Sequence, residues 1–294
     1  MENAQFGSNL SPALAADRKT VVTRQGPHIA YYSDVGAGGR PLLLIHSINA
    51  APSAIEMKPL FDHYRGKRPV YAPDLPGFGA SERGNQNYIP SLYAECLCDF
   101  ISAVTDDSVD VIALSLSCEF VARAAIQEPD KFRSLTLVSP TGLGKRQPPA
   151  EPTCRRVQRV LSYPLLGSSL FRLLTSKPSI RFFLNQSFVE RAPDELVDYA
   201  YQTSHQPEAR YAPFAFLSGR LFSQNATSTL YAAVAQPVLV IYDQDVHVSF
   251  EKMHELTESR SNWQATRISP SCGLPHFEDL QAVVQTLDKF WSTS

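Results

Sequence analysis

Three polar side chains in this sequence are of the types that together perform nucleophilic chemistry: a serine, a histidine and an aspartate. The serine lies in "VIALSLSCEFVARAA" (111–125), where an apolar run ends in two serines, Ser115 and Ser117, and a helical pattern follows at once. A serine hydroxyl is a weak nucleophile until a base removes its proton, and the base works best when a carboxylate orients it.

The residues two positions before and two positions after each serine distinguish the two candidates. A nucleophilic serine on a sharp strand-to-helix turn is exposed above the sheet edge, and small flanking residues are needed because the two backbones pass closely. Ser115 has Ala113 and Ser117 at these positions, whereas Ser117 has the large Glu119 on one side. We therefore predict Ser115 as the nucleophile and Ser117 as a small packing residue. The alternative is that Ser115 only caps the helix, a role that serine also favours.

The base and the acid are predicted from two later loops that follow apolar runs. His276 lies in "SCGLPHFEDLQAVV", between a predicted strand and the last helix. Its alternative role is that of a surface or capping residue. "PVLVIYDQDVHVSF" supplies the carboxylate, and we prefer Asp245, which is set further into the loop, with Asp243 as the alternative. Asp243, Asp245 and His247 could instead be read as metal ligands, but no further His or Cys cluster supports a metal site.

An oxyanion hole requires two backbone N–H groups that point at the developing negative charge. Leu116, directly after Ser115, is predicted to supply one of them. The second is expected from the loop "HSINAAPSA" after the apolar run 41–46, with Ile48 preferred and Ser47 as the alternative.

Short apolar runs alternate with helical patterns along most of the chain. Segments 20–25 and 28–33 predict a hairpin, and runs such as "PLLLIH" and "PVLVIY" are typical of strands buried on both faces. The alternation predicts an α/β fold with a mostly parallel central sheet and helices on both faces. We expect a core over 20–142 and 236–294.

Helical periodicity replaces this alternation between 143 and 235, which predicts a helical cap inserted into the core. Residues 1–19 lack the basic start and apolar stretch of a secretory signal and are expected to form a flexible tail. Together with five scattered cysteines, this favours a cytoplasmic protein without disulfides. Cys96 and Cys98 are expected to pack in a helix rather than bind metal.

The composition excludes several classes of partner. The chain has 294 residues, 44% of them hydrophobic, and a net charge of -2 that we take to be evenly spread. We therefore expect neither nucleic acid nor an acidic membrane surface as a partner. No apolar run approaches the roughly 20 residues of a membrane-spanning helix.

Five segments together resemble the α/β-hydrolase superfamily, in its lid-bearing esterase-like branch: "PLLLIHS", "VYAPDLPGFGASER", "ALSLS", "PVLVIYDQD" and "GLPHFEDLQAVV". The D-L-P-G-F-G-x-S run at 74–81 is a specific signature of that family, and the order serine, aspartate, histidine is the family's own. Three features depart from it. Ser47 follows His46 where glycine is usual, Ala113 and Ser117 replace the two glycines around the nucleophile, and the acid loop is one residue shorter.

The resemblance implies a serine hydrolase that cleaves an ester or related acyl bond of a small hydrophobic substrate, with no metal or organic cofactor. Ser47 and the cap residues Phe214, Phe216 and Leu217 are the expected substrate contacts. The sequence leaves the oligomeric state open, with a homodimer as one option. A serine at 115 argues against dehalogenase or epoxide hydrolase chemistry, which uses aspartate. Carbon–carbon bond hydrolysis, haloperoxidation and acyl transfer remain alternatives. The replaced glycines also leave open a non-catalytic protein that binds a ligand.

Overall fold

An eight-stranded sheet forms the centre of the computed structural model, which describes residues 9–24 and 26–293. In chain order the strands are β1 (Arg18–Val22), β2 (His28–Asp34), β3 (Leu42–Ile45), β4 (Val70–Pro73), β5 (Val109–Leu114), β6 (Phe132–Val138), β7 (Val238–Tyr242) and β8 (Trp263–Arg267). Across the sheet the order is β1-β2-β4-β3-β5-β6-β7-β8. β1 and β2 form the predicted hairpin, β2 is also antiparallel to β4, and all other neighbouring pairs are parallel. The predicted α/β fold with a mostly parallel sheet is confirmed.

Helices connect most of the strands, as the sequence periodicity predicts. Those of the described residues are α1 (Lys58–Tyr64), α2 (Pro90–Val104), α3 (Ser117–Gln127), α4 (Glu151–Leu161), α5 (Pro164–Leu174), α6 (Lys177–Asn185), α7 (Asp194–Ser204), α8 (Tyr211–Leu217), α9 (Ala226–Thr229), α10 (Met253–Ser259), α11 (Pro275–Glu278) and α12 (Leu280–Thr293). Single 3₁₀ turns cover Ala54–Met57, Pro129–Lys131 and Tyr231–Ala233. None of the helices described here is both long and apolar enough to cross a membrane.

The parallel strands bury both faces, which explains why they are continuously apolar in sequence. Leu43 and Ile45 of β3 pack in one apolar cluster with α2 and α3, whereas Leu42 and Leu44 pack in a second cluster with α1 and α12. Successive side chains of a strand point to opposite faces of the sheet, so each strand contributes to both clusters. The sheet is therefore covered by helices on both sides.

The segment between β6 and β7 forms α4 to α9, consistent with the helical insertion predicted for 143–235. Helix α8 lies directly on the loop that follows β4. A Cβ atom added to Gly77, whose φ is 86°, would lie 2.4 Å from the Cβ of Ala212 in α8. Only glycine fits between this loop and the insertion, so the sequence "PGFG" allows their close contact.

The start of the chain differs from the expected flexible tail in its described part, which begins at residue 9. Leu10, Ala13 and Leu14 are buried. The backbone N–H of Ala13 donates to the Tyr32 hydroxyl at 3.0 Å, and the Tyr199 hydroxyl donates to the carbonyl of Ser11 at 3.0 Å. Apolar side chains and buried tyrosine hydroxyls thus hold residues 9–17 on the core, while residues 1–8 lie outside the described part.

A buried carboxyl group shapes the 74–81 loop. Asp74 is fully buried and accepts hydrogen bonds from the backbone N–H groups of Ala54 at 2.7 Å and Ala80 at 2.8 Å. Its side chain occupies the space beside Gly79, where an added Cβ would lie 1.9 Å from the Asp74 carboxyl carbon. Burial raises the pKa of Asp74 to about 6, although both N–H groups favour its charged form. Asp74 thereby joins the loops after β3 and β4.

We predict that Gly79→Ala destabilises the protein more than Gly66→Ala does. Both glycines have positive φ, 53° and 72°, so each alanine costs about 1–2 kcal/mol of backbone strain. Nothing lies within 4 Å of a Cβ at Gly66, whereas one at Gly79 displaces Asp74. Each buried N–H that loses its acceptor adds about 1–3 kcal/mol. Urea unfolding of the two variants measures the difference, and equal losses would show that the Asp74 contacts carry no stability.

Candidate active site

Ser115 lies on a sharp turn between β5 and α3, at the carboxyl edge of the sheet. Its φ is 52°, in the left-handed region that serine rarely adopts. The helix begins at Ser117, and no side-chain hydrogen bond caps its start. Ser115 therefore does not act as an N-cap, and its strained backbone is of the kind that clusters at functional sites.

The residues that flank Ser115 are small and buried. Ala113 and Ser117 are both fully buried. Ser117 also forms a hydrogen bond that the sequence did not reveal, because its hydroxyl donates to the His46 carbonyl at 2.6 Å. This bond joins the start of α3 to the end of β3, and it fixes the Ser115 turn beside the loop that contains Ile48.

The two backbone N–H groups that are predicted to bind an oxyanion have no acceptor within the described part of the chain. Neither the N–H of Leu116 nor that of Ile48 donates to another of the described residues. The alternative donor, Ser47, is committed, because its N–H donates to Oε2 of Glu56 at 2.8 Å. Its hydroxyl likewise accepts from Asn49. Leu116 and Ile48 therefore stay the predicted pair, whereas the Ser47 N–H is not available.

The two aspartates after β7 have different surroundings. Asp243 accepts from Arg267 Nε at 2.6 Å and from the Ser271 N–H at 2.9 Å, so both of its oxygens are engaged. Burial alone would raise the pKa of Asp243, but these hydrogen bonds outweigh it and the pKa is lowered. These contacts make Asp243 a structural residue.

Asp245 uses only one oxygen to hold its own loop. Its Oδ1 accepts from the backbone N–H groups of His247 at 2.7 Å and Val248 at 3.2 Å. Burial raises the pKa of Asp245, against the effect of these hydrogen bonds. Oδ2 faces Gly273, where an added Cβ would lie 3.2 Å away. Asp245 is thus the carboxylate with an oxygen left for a partner, and it faces position 273 rather than 276.

His276 does not make the contacts that the sequence predicted. Its Nε2 lies 2.7 Å from the carbonyl oxygen of Glu56, and it hydrogen bonds neither to Ser115 nor to Asp243 or Asp245 within the described structure. A carbonyl oxygen only accepts, so Nε2 carries the proton. The physical reason is the position of α11, which begins at Pro275 and packs against α1, so that the imidazole enters the protein interior.

The surroundings of His276 favour its neutral form. The side chain is 1% exposed, and its Nδ1 has no hydrogen-bond partner among the described residues. Burial lowers the pKa of His276 to about 4, although the Glu56 carbonyl favours the charged form. At neutral pH the imidazole is therefore an uncharged donor to Glu56 with a free acceptor nitrogen.

Glu56, which no sequence pattern singled out, links the loop after β3 to the segment that carries His276. Its carboxylate accepts from the Ser47 N–H and from Asn49 Nδ2 at 3.0 Å, while its carbonyl accepts from His276. Burial raises the pKa of Glu56. The only available signal was a carboxylate inside the apolar "AIEM" segment, which also fits an exposed helix position.

The predicted substrate contacts in the insertion do not share one environment. Phe214 is fully buried against Phe171 inside the insertion, Phe216 packs on Phe222, and Leu217 is 41% exposed. A cavity of about 240 Å³ lies beside Phe171. Neither this cavity nor a smaller one at Gly77–Gly79 is lined by Ser115 or by these three residues. Their role in substrate binding stays a prediction.

Metal-ligating side chains are not gathered anywhere in the described parts of the chain. No group of three or more His, Cys, Asp or Glu residues there could hold an ion. Cys96 and Cys98 are both buried, and burial raises the pKa of each thiol to about 12. Both thiols are therefore protonated at neutral pH, and they pack in α2.

We predict that the stability of the protein depends on pH through His276. The imidazole is neutral when folded, with a pKa of about 4, whereas in the unfolded chain it binds a proton below about 6.5. The free energy of unfolding that this difference in pKa contributes is therefore fully present above pH 6.5, and it is lost as the pH falls to 4. His276→Gln keeps an N–H donor for Glu56 but does not titrate. The stability advantage of the wild type over this variant should shrink by about 3 kcal/mol between pH 6.5 and 4.

Urea unfolding of both proteins across this pH range measures the effect. A constant difference between them would show that His276 has the same pKa in the folded and the unfolded state, which would contradict the prediction.

Comparison with known proteins identifies the family of the fold. A family model described as alpha/beta hydrolase fold matches residues 40–279. The 2-hydroxymuconate semialdehyde hydrolase of Pseudomonas sp. (strain CF600) is 26% identical over 176 residues, which cover 59% of this chain and only 57% of that relative.

Solved structures share the architecture. A serine hydrolase involved in carbazole degradation superposes with a TM-score of 0.75 at 16% identity, over 95% of this chain and 100% of that one. A meta-cleavage product hydrolase from Pseudomonas fluorescens IP01 gives 0.72 at 17% identity, over 94% and 97% of the two chains. With its sheet order, its strained Ser115 turn and a family match over most of its length, the chain belongs to the alpha/beta hydrolase fold family.

Proposed function

We propose that the protein is a hydrolase in which Ser115 attacks a carbonyl carbon of a small substrate with an apolar portion. The observation that carries the proposal is the strained Ser115 turn, together with the N–H groups of Leu116 and Ile48, which have no acceptor among the described residues. A preorganised pair of N–H donors stabilises the negative charge that develops on the carbonyl oxygen during such an attack.

The proposed reaction proceeds through an acyl-enzyme. Ser115 Oγ bonds to the carbonyl carbon and gives its proton to the base, and the bond to the leaving group breaks as that group is protonated. Water then attacks the acyl-enzyme and releases the acid and Ser115. The proposed base is His276, oriented by Asp245. Because its Nε2 donates to the Glu56 carbonyl, turnover requires two changes. The imidazole leaves this carbonyl, and its proton moves from Nε2 to Nδ1, on the side of Asp245, so that Nε2 can accept the Ser115 proton.

Two bond types fit this mechanism. An ester offers an alcohol as the leaving group, whereas a substrate with a carbon–carbon bond next to a ketone releases a carbanion equivalent that must be protonated. The names of the relatives, a semialdehyde hydrolase and a meta-cleavage product hydrolase, favour the inclusion of carbon–carbon substrates. We propose both as the substrate class, an ester or a ketone with a cleavable carbon–carbon bond.

A second candidate function is ligand binding without turnover. The contact between His276 and Glu56 favours it, because an imidazole held there cannot remove the Ser115 proton. In this case the free N–H groups would bind the carbonyl or carboxylate oxygen of a ligand that is released unchanged.

We predict that a fluorophosphonate probe labels the wild type and that Ser115→Ala abolishes the labelling. The same variant should hydrolyse short p-nitrophenyl esters at least about a thousandfold more slowly, because it lacks the nucleophile. Ser228→Ala is the control, since Ser228 is an exposed serine of α9, outside the candidate site. Labelling that survives in Ser115→Ala would contradict the assignment of the nucleophile.

A pair of substitutions at His276 separates the two candidate functions. If His276 is the base, both His276→Ala and His276→Gln should lose labelling and ester turnover, because neither side chain accepts the proton. If His276 only anchors Glu56, the glutamine variant should show the same labelling and the same ester turnover as the wild type. Mass spectrometry of the labelled proteins and initial rates from pH 5 to 9 are the measurements.

A further inference from the structure

The helical insertion exposes more large apolar side chains than the rest of the protein. Among the described residues thirteen such side chains are exposed, and eight of them lie between 157 and 189. Six of these eight are exposed by 47% to 67%: Val160, Tyr163, Leu173, Phe182, Phe183 and Val189. Clustered exposed apolar groups mark an interaction surface, whereas isolated ones do not.

These side chains lie on adjoining helices. Val157 and Val160 of α4 are three residues apart, as are Leu170 and Leu173 of α5, so each pair shares one face of its helix. α4 contacts α5, and α5 contacts α6, which carries the adjacent rings of Phe182 and Phe183. We refer to the exposed residues of α4, α5 and α6 together as the α4–α6 face.

Cations accompany the apolar residues on the α4–α6 face. Residues 151–191 contain seven lysines and arginines but only two glutamates, although the whole chain has a net charge of -2. The sequence-based assumption of an evenly spread charge is therefore wrong for this segment. Lys177, Arg181 and Arg191 pair with aspartates of α7.

Three guanidinium groups of this face have no carboxylate partner among the described residues. Arg156 and Arg159 are exposed on α4, and Arg172 is exposed on α5. Each is adjacent in sequence to one of the exposed apolar residues Val157, Val160 and Leu173. A second copy of the chain on this face would bring like charges together, whereas an anionic surface would neutralise them.

We propose that the α4–α6 face binds the surface of an anionic lipid membrane. The apolar side chains enter the boundary between headgroups and acyl chains, and Arg156, Arg159 and Arg172 pair with lipid phosphates. This mode of binding needs no spanning helix, since the helices lie in the plane of the interface. The proposal is independent of turnover at Ser115.

The test is cosedimentation of the full chain with large unilamellar vesicles. We expect binding to phosphatidylcholine vesicles that contain about 30 mol% phosphatidylglycerol, weak binding to phosphatidylcholine alone, and loss of binding as salt is added. The triple variant Arg156→Gln, Arg159→Gln, Arg172→Gln should bind roughly a hundredfold more weakly, at about fivefold for each charge removed.

Apolar substitutions test the second half of the proposal. Leu173→Ser combined with Phe182→Ser should weaken vesicle binding by about tenfold or more. Val22→Ser is the matched control, because Val22 is 65% exposed on the edge strand β1, outside the face, and its substitution should leave binding unchanged. Ser115→Ala should bind vesicles like the wild type, which separates this proposal from the proposed function.

Three outcomes would overturn the proposal. The first is the absence of binding to anionic vesicles at low salt. The second is equal binding of the Leu173/Phe182 double variant and the Val22 control. The third is a dimer, measured by light scattering, that the double variant dissociates while vesicles bind neither protein; this result would assign the face to a second copy of the chain.

Discussion

The arrangement of the candidate site depends on the contacts of one buried residue, Glu56. Its carboxylate accepts from the Ser47 N–H and from Asn49, and its carbonyl accepts from His276. No cation pairs with this carboxylate in the described structure, so its burial is offset by hydrogen bonds from the loop that it shapes. Ile48 lies inside that loop, next to Ser47. The position of the predicted oxyanion donor and the position of the predicted base are therefore set by the same residue.

Asp74 and Glu119 are also buried carboxyls that accept hydrogen bonds from neighbouring loops. Asp74 accepts from the Ala54 and Ala80 N–H groups, and Glu119 accepts from the Thr141 hydroxyl and from the Ser223 N–H at 2.7 Å. Burial raises the pKa of both carboxyls. The loops at the carboxyl edge of the sheet lack the regular hydrogen bonds of helices and strands. Buried carboxyls that accept hydrogen bonds from these loops fix the irregular backbone instead. Glu119 also connects the core to the helical insertion, because its partner Ser223 follows α8.

Patterns of short range were sufficient to predict the sheet, its helices and the Ser115 turn. Continuous apolar runs, helical periodicity and the small size of Ala113 and Ser117 are patterns within a few residues, and the structure retains them. The contacts of His276 could not be predicted in this way. Its spacing from β8 is compatible with several paths of the loop, and the burial of α11 against α1 selects one that turns the imidazole toward Glu56. For the same reason the sequence could not show that Arg267 engages Asp243, which leaves Asp245 as the carboxylate with a free oxygen.

The site therefore combines two features with opposite implications for chemistry. The Ser115 turn holds a strained backbone, at a cost of about 1–3 kcal/mol, and such strain persists only where the surrounding structure fixes it. The Ser117 hydroxyl bound to the His46 carbonyl provides this constraint, and it keeps the free N–H groups of Leu116 and Ile48 in place. The predicted oxyanion donors are thus free of acceptors in the described structure, whereas the predicted base is not free, because Glu56 holds the imidazole. Hydrolysis and simple ligand binding both require the N–H groups of Leu116 and Ile48. Whether the His276 imidazole can leave the Glu56 carbonyl therefore decides between the two functions.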